Sequence, residues 1–543
     1  MRELCRAPSP QLELEPENSP MAAAWSRWRR RRPWSRIDTM LCFVLGLGLA
    51  SAFLGETAAA KDAAKLRRPS SPSSRSSRSS WSLGAEGANS GSGPGLALSV
   101  LIAGAGPSGL LLAHRLLAAG ASVRLVEGRR DPRTDESLEG RAYALGLGIR
   151  GRTAIRTAGE KLWASIKPSG FGSERFKLHL SPTFAIDLRT PEDNNGLEPS
   201  LLIYQSDLCS AMLDELEACF SGTGRLQISF STLLKSADPV AGSAVLQSGD
   251  KVEELAPVDV IAGCDGVNSA VRASIDSACP GFKVEQTQLP GSLKVLRFPQ
   301  MPEKLDPTAV HAIPGKGGTS AFVEPTARGG CALINWREAK EEKEKMEPSL
   351  GDLADPEEAQ KTLAAYFPLI GDAMDEESGK QFVSQKASRA STVKCNTYSF
   401  GRAVLLGDAA HSTGGASGQG CNSALQDAVV LAEVLQKEVA DAGRSVPEAL
   451  VLYSKKQVPE GHALLDLSLG PGEAAGPLRR ALYGAASFAG TLLSKLGLAE
   501  PPLQTLLTTC LTSFSEIRRD RDLYFGVFPT QQEFETEIEK NSL

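Results

Sequence analysis

The sequence predicts an α/β protein in which a Rossmann-like dinucleotide-binding domain is interleaved with a mixed β-sheet domain and followed by a helical C-terminal region. Three segments, in order, carry that expectation. They are Gly104-Ala105-Gly106-Pro107-Ser108-Gly109, the stretch from Cys264 through Asp265, Gly266, Asn268 and Ser269 to Arg272, and Leu405-Leu406-Gly407-Asp408-Ala409-Ala410-His411.

The first segment has the context that a GxGxxG turn needs. Residues 96–103 are a mostly apolar, strand-like run, the glycines follow at once, and residues 110–119 are rich in helix formers up to Gly120. A second strand over 123–126 ends at Glu127, where an acidic side chain stands to bond a ribose 2′-hydroxyl. This is a complete βαβ unit whose helix N-terminus suits a pyrophosphate. The acidic partner favours an adenosine ribose without a 2′-phosphate, hence FAD or NAD over NADP at this turn.

In the second segment, residues 258–263 read as a buried strand that delivers Asp265 and Gly266 to its end, with Arg272 on the helix that follows. A carboxylate and a guanidinium beside two pyrophosphates make sense if one stays on FAD and another arrives with a reductant. In the third, residues 403–406 form a strand, and Gly407 lets Asp408 approach ribityl hydroxyls. Gly414, Gly415, Ala416, Ser417, Gly418, Gln419 and Gly420 then run as backbone into a helix at Cys421-Asn422. A helix N-terminus aimed at the pyrimidine edge of a flavin stabilises the negative charge that reduction places there.

Between these segments the chain leaves the dinucleotide unit and returns. Residues 176–188, 292–298, 310–314, 319–323 and 331–336 alternate as strands of a second sheet, whereas 208–219 read as an amphipathic helix and 226–230 as a strand. Residues 315–319 lack phosphate-loop spacing and read as a hairpin turn. The expected division is a leader and linker over 1–95, and a cofactor domain over 96–170, 200–284 and 396–440. A substrate domain over 171–199 and 285–395 and a helical region over 441–543 complete it.

Charge is uneven. Residues 1–95 hold 14 Lys or Arg and 8 Asp or Glu, so a basic leader precedes an acidic body, and an acidic body argues against nucleic acid as a partner. Ten cysteines without a CxxC pair and five dispersed histidines suggest neither a disulfide framework nor a metal site. An Arg-rich run over 27–36 precedes an apolar stretch over 40–55, short for a span that needs roughly 20 apolar residues. A Ser/Arg-rich segment over 61–83 follows. That order is expected of a bipartite signal and transit leader for plastid import; the alternatives are an endoplasmic reticulum membrane anchor or a mitochondrial address. No stable transmembrane span is expected in the mature protein.

The ordered set of GxGxxG with Glu127, Gly140-Arg141, Asp265-Gly266 with Arg272, and Gly407-Asp408 with Gly418-Gln419-Gly420 and Asn422 resembles the class A flavoprotein monooxygenases, or aromatic hydroxylases. Within them it is similar to the kynurenine 3-monooxygenases, through residues 143–152, 366–371, 407–422, 458–468 and 514–518. The resemblance implies FAD held by Gly104, Gly106, Pro107, Ser108, Gly109, Glu127, Arg141, Gln205, Asp265, Gly266, Arg272, Gly407, Asp408, Gly418, Gly420 and Asn422. It implies NADPH or NADH as a transient reductant, a small-molecule substrate with O2, and hydroxylation of an aromatic or other electron-rich ring through a C4a-hydroperoxyflavin. Asn422 stands where that subfamily meets a substrate carboxylate, and Arg175, His179, Ala416 and Ser417 are further substrate-side candidates. The family's Pro and two aromatics before GQG are Gly415, Ala416 and Ser417 here, and its anchoring tyrosines are missing from 182–190 and 469–473, which argues against kynurenine itself. The rivals are a plastid flavin-dependent isoprenoid reductase or epoxidase and a non-catalytic prenyl-binding relative. No side chain is expected to act as a catalytic acid, base or nucleophile.

Overall fold

The computed structural model describes residues 95–134, 143–194, 196–337, 349–415, 417–472, 476–495, 498 and 501–542. The leader, Arg141 and Ala416 lie outside the described residues.

The first layer is a six-stranded sheet. Strand β1 (Ser99–Ala103) enters helix α1 (Pro107–Ala119), which returns through β2 (Ser122–Val126). Pro107 opens α1 where its missing N–H costs nothing, and Gly120 closes it at φ +109°, a conformation that favours glycine. Leu110, Leu111, Leu112, Leu116 and Leu117 of α1 are fully buried, each worth roughly 1.5–3 kcal/mol of apolar burial. Further along the chain come α2 (Ile149–Arg156), α3 (Gln205–Phe220), β3 (Leu226–Ser229), β4 (Val260–Gly263), α4 (Ala270–Ala278), β5 (Ala403–Leu405), α5 (Gly420–Val434) and α6 (Val446–Leu469). Strands β5, β4, β1, β2 and β3 lie side by side in that order, all parallel, and Ser399–Phe400 pairs antiparallel at the β5 edge. Helix α1 packs against α3 and α5 on one face of this sheet.

The second layer is a seven-stranded sheet in the order Ser388–Cys395, Val284–Phe298, Gly329–Arg337, Ser320–Thr326, Ala309–Pro314, Arg175–Ser181 and Phe184–Arg189. All its pairings are antiparallel except that of Ala309–Pro314 with Arg175–Ser181. Its outer face is covered by helices Pro356–Tyr366 and Glu376–Ser384, which share a core with Ala321, Val323, Ala332 and Ile334. A small sheet of Ala144–Leu147, Ser200–Tyr204 and Phe171–Ser173 links the two layers, and Lys316–Gly318 is a short turn between two strands of the large sheet.

Helix α6 starts with a capping box between Ser445 and Glu448 and carries the C-terminal helices Phe514–Arg519 and Gln531–Ser542. Buried Arg518 ties them down, donating to Asp466 (2.7 Å), Asp522 (2.8 Å) and the Gly526 carbonyl (3.2 Å). Among the described residues no helix is long and apolar enough to cross a membrane, and no group of three or more His, Cys, Asp and Glu could hold a metal.

Candidate active site

Ligands of open parallel sheets bind beyond the carboxyl ends of the strands. Here four adjacent strands end in the candidate residues: β2 in Glu127, β1 in the glycine turn, β4 in Asp265 and β5 in Asp408. At about 4.8 Å per strand these ends cover roughly 14 Å, enough for an extended dinucleotide.

The glycine turn is shaped by contacts no larger residue allows. A Cβ on Gly104, at φ +103°, would lie 2.2 Å from the Cys264 carbonyl oxygen, and one on Gly109 would lie 2.1 Å from the Gly104 carbonyl oxygen. Gly106 differs, because a Cβ there meets nothing within 4 Å. Buried Glu127 accepts from the Ala105 N–H (2.9 Å) and from the Arg129 N–H and Nε (both 2.9 Å), pinning the turn to the end of β2. Burial alone would raise its pKa, but these partners outweigh it and hold the carboxyl below its ordinary value.

Asp265 accepts from the Ala270 (2.7 Å) and Val271 (3.2 Å) N–H groups through Oδ2, whereas its Oδ1 is buried without a partner. Burial pushes its pKa up, partly offset by the Ser269 side chain and by those backbone N–H groups. Gly266 follows at φ +77° with open space beside it. Gly407, at φ +58°, donates to Asp427 (2.8 Å) and presents Asp408, which keeps solvent-exposed surface. Desolvation by the protein packed around it raises the Asp408 pKa, against the opposing pull of His411 and Ser412. His411 is itself buried and paired with Asp427 at 2.6 Å.

Four observations fit FAD. Helix α1 has neither a side-chain cap nor an acidic residue in its first turn, leaving its N–H groups free for a pyrophosphate. Gly106, Gly266, Gly415 and Gly418 border open space. Asp265 Oδ1, Thr413 Oγ1 and Gln419 Oε1 are buried polar atoms with no partner in the protein. Helix α5 also begins uncapped, after Gly418 at φ +66° and Gln419. Thr413 escaped the sequence reading, and Gln419 entered it only as backbone, because the significance of their side chains lies in being unsatisfied, which only packing shows.

Other expected residues sit elsewhere. Arg272 is buried and its guanidinium is spent on the Ala409 carbonyl (2.9 Å), the Val267 carbonyl (2.6 Å) and Gln286 Oε1 (3.0 Å). It therefore ties the Asp408 and Asp265 turns together and is corrected from a phosphate contact to a brace. Asn422 is fully buried: its oxygen accepts from Gly148 (2.9 Å) and Gly151 (3.2 Å), and its amide donates to the Gly146 (2.9 Å) and Gly418 (3.3 Å) carbonyls. Its side chain is a clamp on the loop and has no hydrogen-bonding capacity left for a substrate carboxylate. Ser417 is buried and accepts from the Ser468 hydroxyl of α6 at 2.7 Å. Gln205, half-buried, opens α3.

Arg175 and His179 are corrected as well. Lys177, between them, pairs with His311 and His311 with Val323, which is buried under the outer helices. Strand alternation puts Arg175 and His179 on that outer face, and His179 Nε2 shares a 2.9 Å hydrogen bond with His311 Nδ1. The inner face carries Phe176 and Phe322, edge-on with ring centroids 5.7 Å apart.

A family profile described as FAD binding domain matches residues 97–468. The chain belongs to the FAD-dependent monooxygenases of the aromatic-hydroxylase class. This monooxygenase is 28% identical over 382 residues to kynurenine 3-monooxygenase of Sus scrofa, covering 68% of this chain and 75% of the relative. It is 27% identical over 363 residues to violacein synthase of Chromobacterium violaceum, covering 64% and 80%. Among solved structures, 2-methyl-3-hydroxypyridine-5-carboxylic acid oxygenase shares the fold at a TM-score of 0.53 and 21% identity, over 80% of this chain and 100% of that one. PqsL of P. aeruginosa does so at 0.53 and 21%, over 72% and 99%. The monooxygenase thus has the α/β architecture expected of it, with FAD as its cofactor.

Proposed function

We propose that this monooxygenase uses NADPH or NADH and O2 to hydroxylate a small electron-rich ring held between the carboxyl-end groove and the inner face of the seven-stranded sheet. The observation that carries the reading is the convergence of Glu127, the glycine turn, Asp265 and Asp408 on four neighbouring strand ends, roofed by a largely apolar second sheet.

Bound FAD would supply two-electron chemistry and the activation of dioxygen. The residues of the chain position and shield it. Glu127 and the α1 N-terminus would hold the adenosine half and the Gly266 turn the pyrophosphate, while Asp265 Oδ1 would accept from a cofactor hydroxyl and Asp408 from the ribityl hydroxyls. The uncapped start of α5 would place partial positive charge at the pyrimidine edge. Phe176 and Phe322 exclude water from the reacting ring. No side chain is assigned proton abstraction in this scheme. Against kynurenine itself stand the placement of Arg175 on the outer face and the full engagement of the Asn422 side chain within the protein.

The test is oxidation of NADPH and NADH by protein lacking residues 1–95, screened over phenols, aminophenols, kynurenine and isoprenoids with oxygen uptake followed in parallel. Stimulation of both readings by the same ring compound is expected; NADPH consumption with an isoprenoid but without oxygen uptake would replace hydroxylation by reduction. Asp408→Ala should weaken FAD binding about tenfold or more, the worth of a hydrogen bond to a charged group, as read by flavin retention on gel filtration. We also propose plastid import through the leader, supported by its basic, apolar and Ser/Arg-rich order and testable by the destination of a fluorescent protein fused after residue 95.

A further inference from the structure

The inner face of the seven-stranded sheet carries an ionisable group that the cofactor site does not use. On strand Ser320–Thr326, Ala321 and Val323 are buried in the core beneath the outer helices, so Phe322 and Glu324 turn the other way. Their cross-strand partners on that inner face are Leu333 and Cys331, and Cys331 packs with Ala144 and Tyr204 of the linking sheet. Tyr143, adjoining that sheet, has its phenol pKa raised by burial and by the charges of both Asp408 and Glu324. Tyr143 thus lies within electrostatic reach of both Glu324, on the inner face of the second sheet, and Asp408, at the end of β5.

Among the described residues, Glu324 has neither an ion pair nor a side-chain hydrogen bond, and burial alone raises its pKa to about 8. Nor are its oxygens among the sealed, unpartnered atoms of the interior, so the half-buried carboxyl keeps accessible surface on the inner face. Around it stand Phe322, Phe176, Leu333 and Cys331, with Arg297 beyond Cys331 on the next strand, stacked on Tyr204 at 4.5 Å. A carboxyl in such a wall is costly until something meets it. In its ionised form the carboxyl would repel an anionic group, and a methyl or ether would leave it desolvated and unpaired. A hydroxyl or amine satisfies it.

We propose that Glu324 is the polar anchor of the substrate pocket, selecting an aromatic ring that bears a hydroxyl or amino group by accepting its hydrogen. This rests on the reading of the cleft as a substrate pocket. It makes Glu324 a specificity-determining residue, and it narrows the substrate class to phenols and anilines free of a carboxylate at that end.

The test uses the FAD-loaded protein and two probes, 4-methylphenol and 4-methylanisole, titrated while the visible flavin spectrum is followed. Wild type should bind the phenol at least about tenfold more tightly than its methyl ether, the factor that a lost buried hydrogen bond corresponds to. That preference should vanish in Glu324→Leu and persist at pH 7 in Glu324→Gln. Phenol binding by wild type should tighten from pH 6 to 9 as the carboxyl ionises near 8, and Glu324→Gln should show no such trend. Equal affinity for the two probes in wild type, or a preference that survives Glu324→Leu, overturns the proposal. A protein that takes up no flavin reveals itself as colourless before any titration and overturns the pocket reading with it. A yellow protein without the preference overturns the role of Glu324 alone.

Discussion

Gly109→Ala is expected to give a protein that melts well below wild type and retains no flavin. Its Cβ would stand 2.1 Å from the Gly104 carbonyl oxygen and 3.2 Å from the Cys264 Cβ, so either α1 or the end of β1 has to move. Overpacking in a fixed backbone environment costs on the order of 3 kcal/mol. The displaced helix start also no longer aims its N–H groups at the pyrophosphate. Gly106→Ala provides the contrast, because the added methyl enters open space and the backbone there is extended at φ −75°. Its apoprotein should lose about 1 kcal/mol or less, yet bind FAD about tenfold more weakly because the methyl occupies ground the cofactor needs. Thermal unfolding of the apoproteins and equilibrium dialysis with FAD separate the two effects. If both variants melt alike, the turn is not packed as described.

The second large effect is expected at the buried pair behind Asp408. Asp427 accepts from the Gly407 N–H at 2.8 Å and pairs with His411 at 2.6 Å, with side chains only 3% and 2% exposed. Asp427→Ala leaves a buried imidazolium and a backbone N–H without partners, and breaking one side of such a pair costs about 3–5 kcal/mol. At this size that lowers the melting temperature by roughly 10 °C. The pair also sets a pH dependence. Burial alone would lower the His411 pKa, but the charge and hydrogen bond of Asp427 outweigh it, so the folded-state value is raised above 6.5. A raised pKa means that the stabilisation is fully present below pH 6.5 and is lost as pH climbs through the folded value. Wild type should therefore melt progressively lower on the alkaline side of neutrality, and His411→Gln should flatten that part of the profile. A wild-type curve level from pH 6 to 9 would contradict a charged pair.

What could be read from the chain alone was local. The turn at Gly104–Gly109 is legible because strand, glycines and helix are contiguous, and the steric demands act within a few residues of one another. Asn422 was misleading for the opposite reason. Its side-chain partners Gly146, Gly148 and Gly151 lie more than 270 positions earlier, so nothing near it in sequence reveals that its amide is already engaged. Arg175 and His179 show the limit of strand periodicity. Alternation tells which residues share a face, but which face meets the cofactor domain is decided by pairing with His311 and by the helices Pro356–Tyr366 and Glu376–Ser384 that cover the other face. Glu324 went unremarked because a single carboxylate in a strand of ordinary composition is significant only when its surroundings prove apolar.

The order of the strands in the first sheet has a consequence for how the protein is made. Strand β1 begins at Ser99, but its neighbour β4 is not synthesised until residue 260, and β5 with Asp408 not until residue 403. A nascent chain halted before that point exposes β4 along an open edge and has no pocket for a ribityl chain. Such distant pairings are slow to form. The coenzyme groove is thus complete only once the chain has been made past Asp408, about three quarters of the way along its 543 residues.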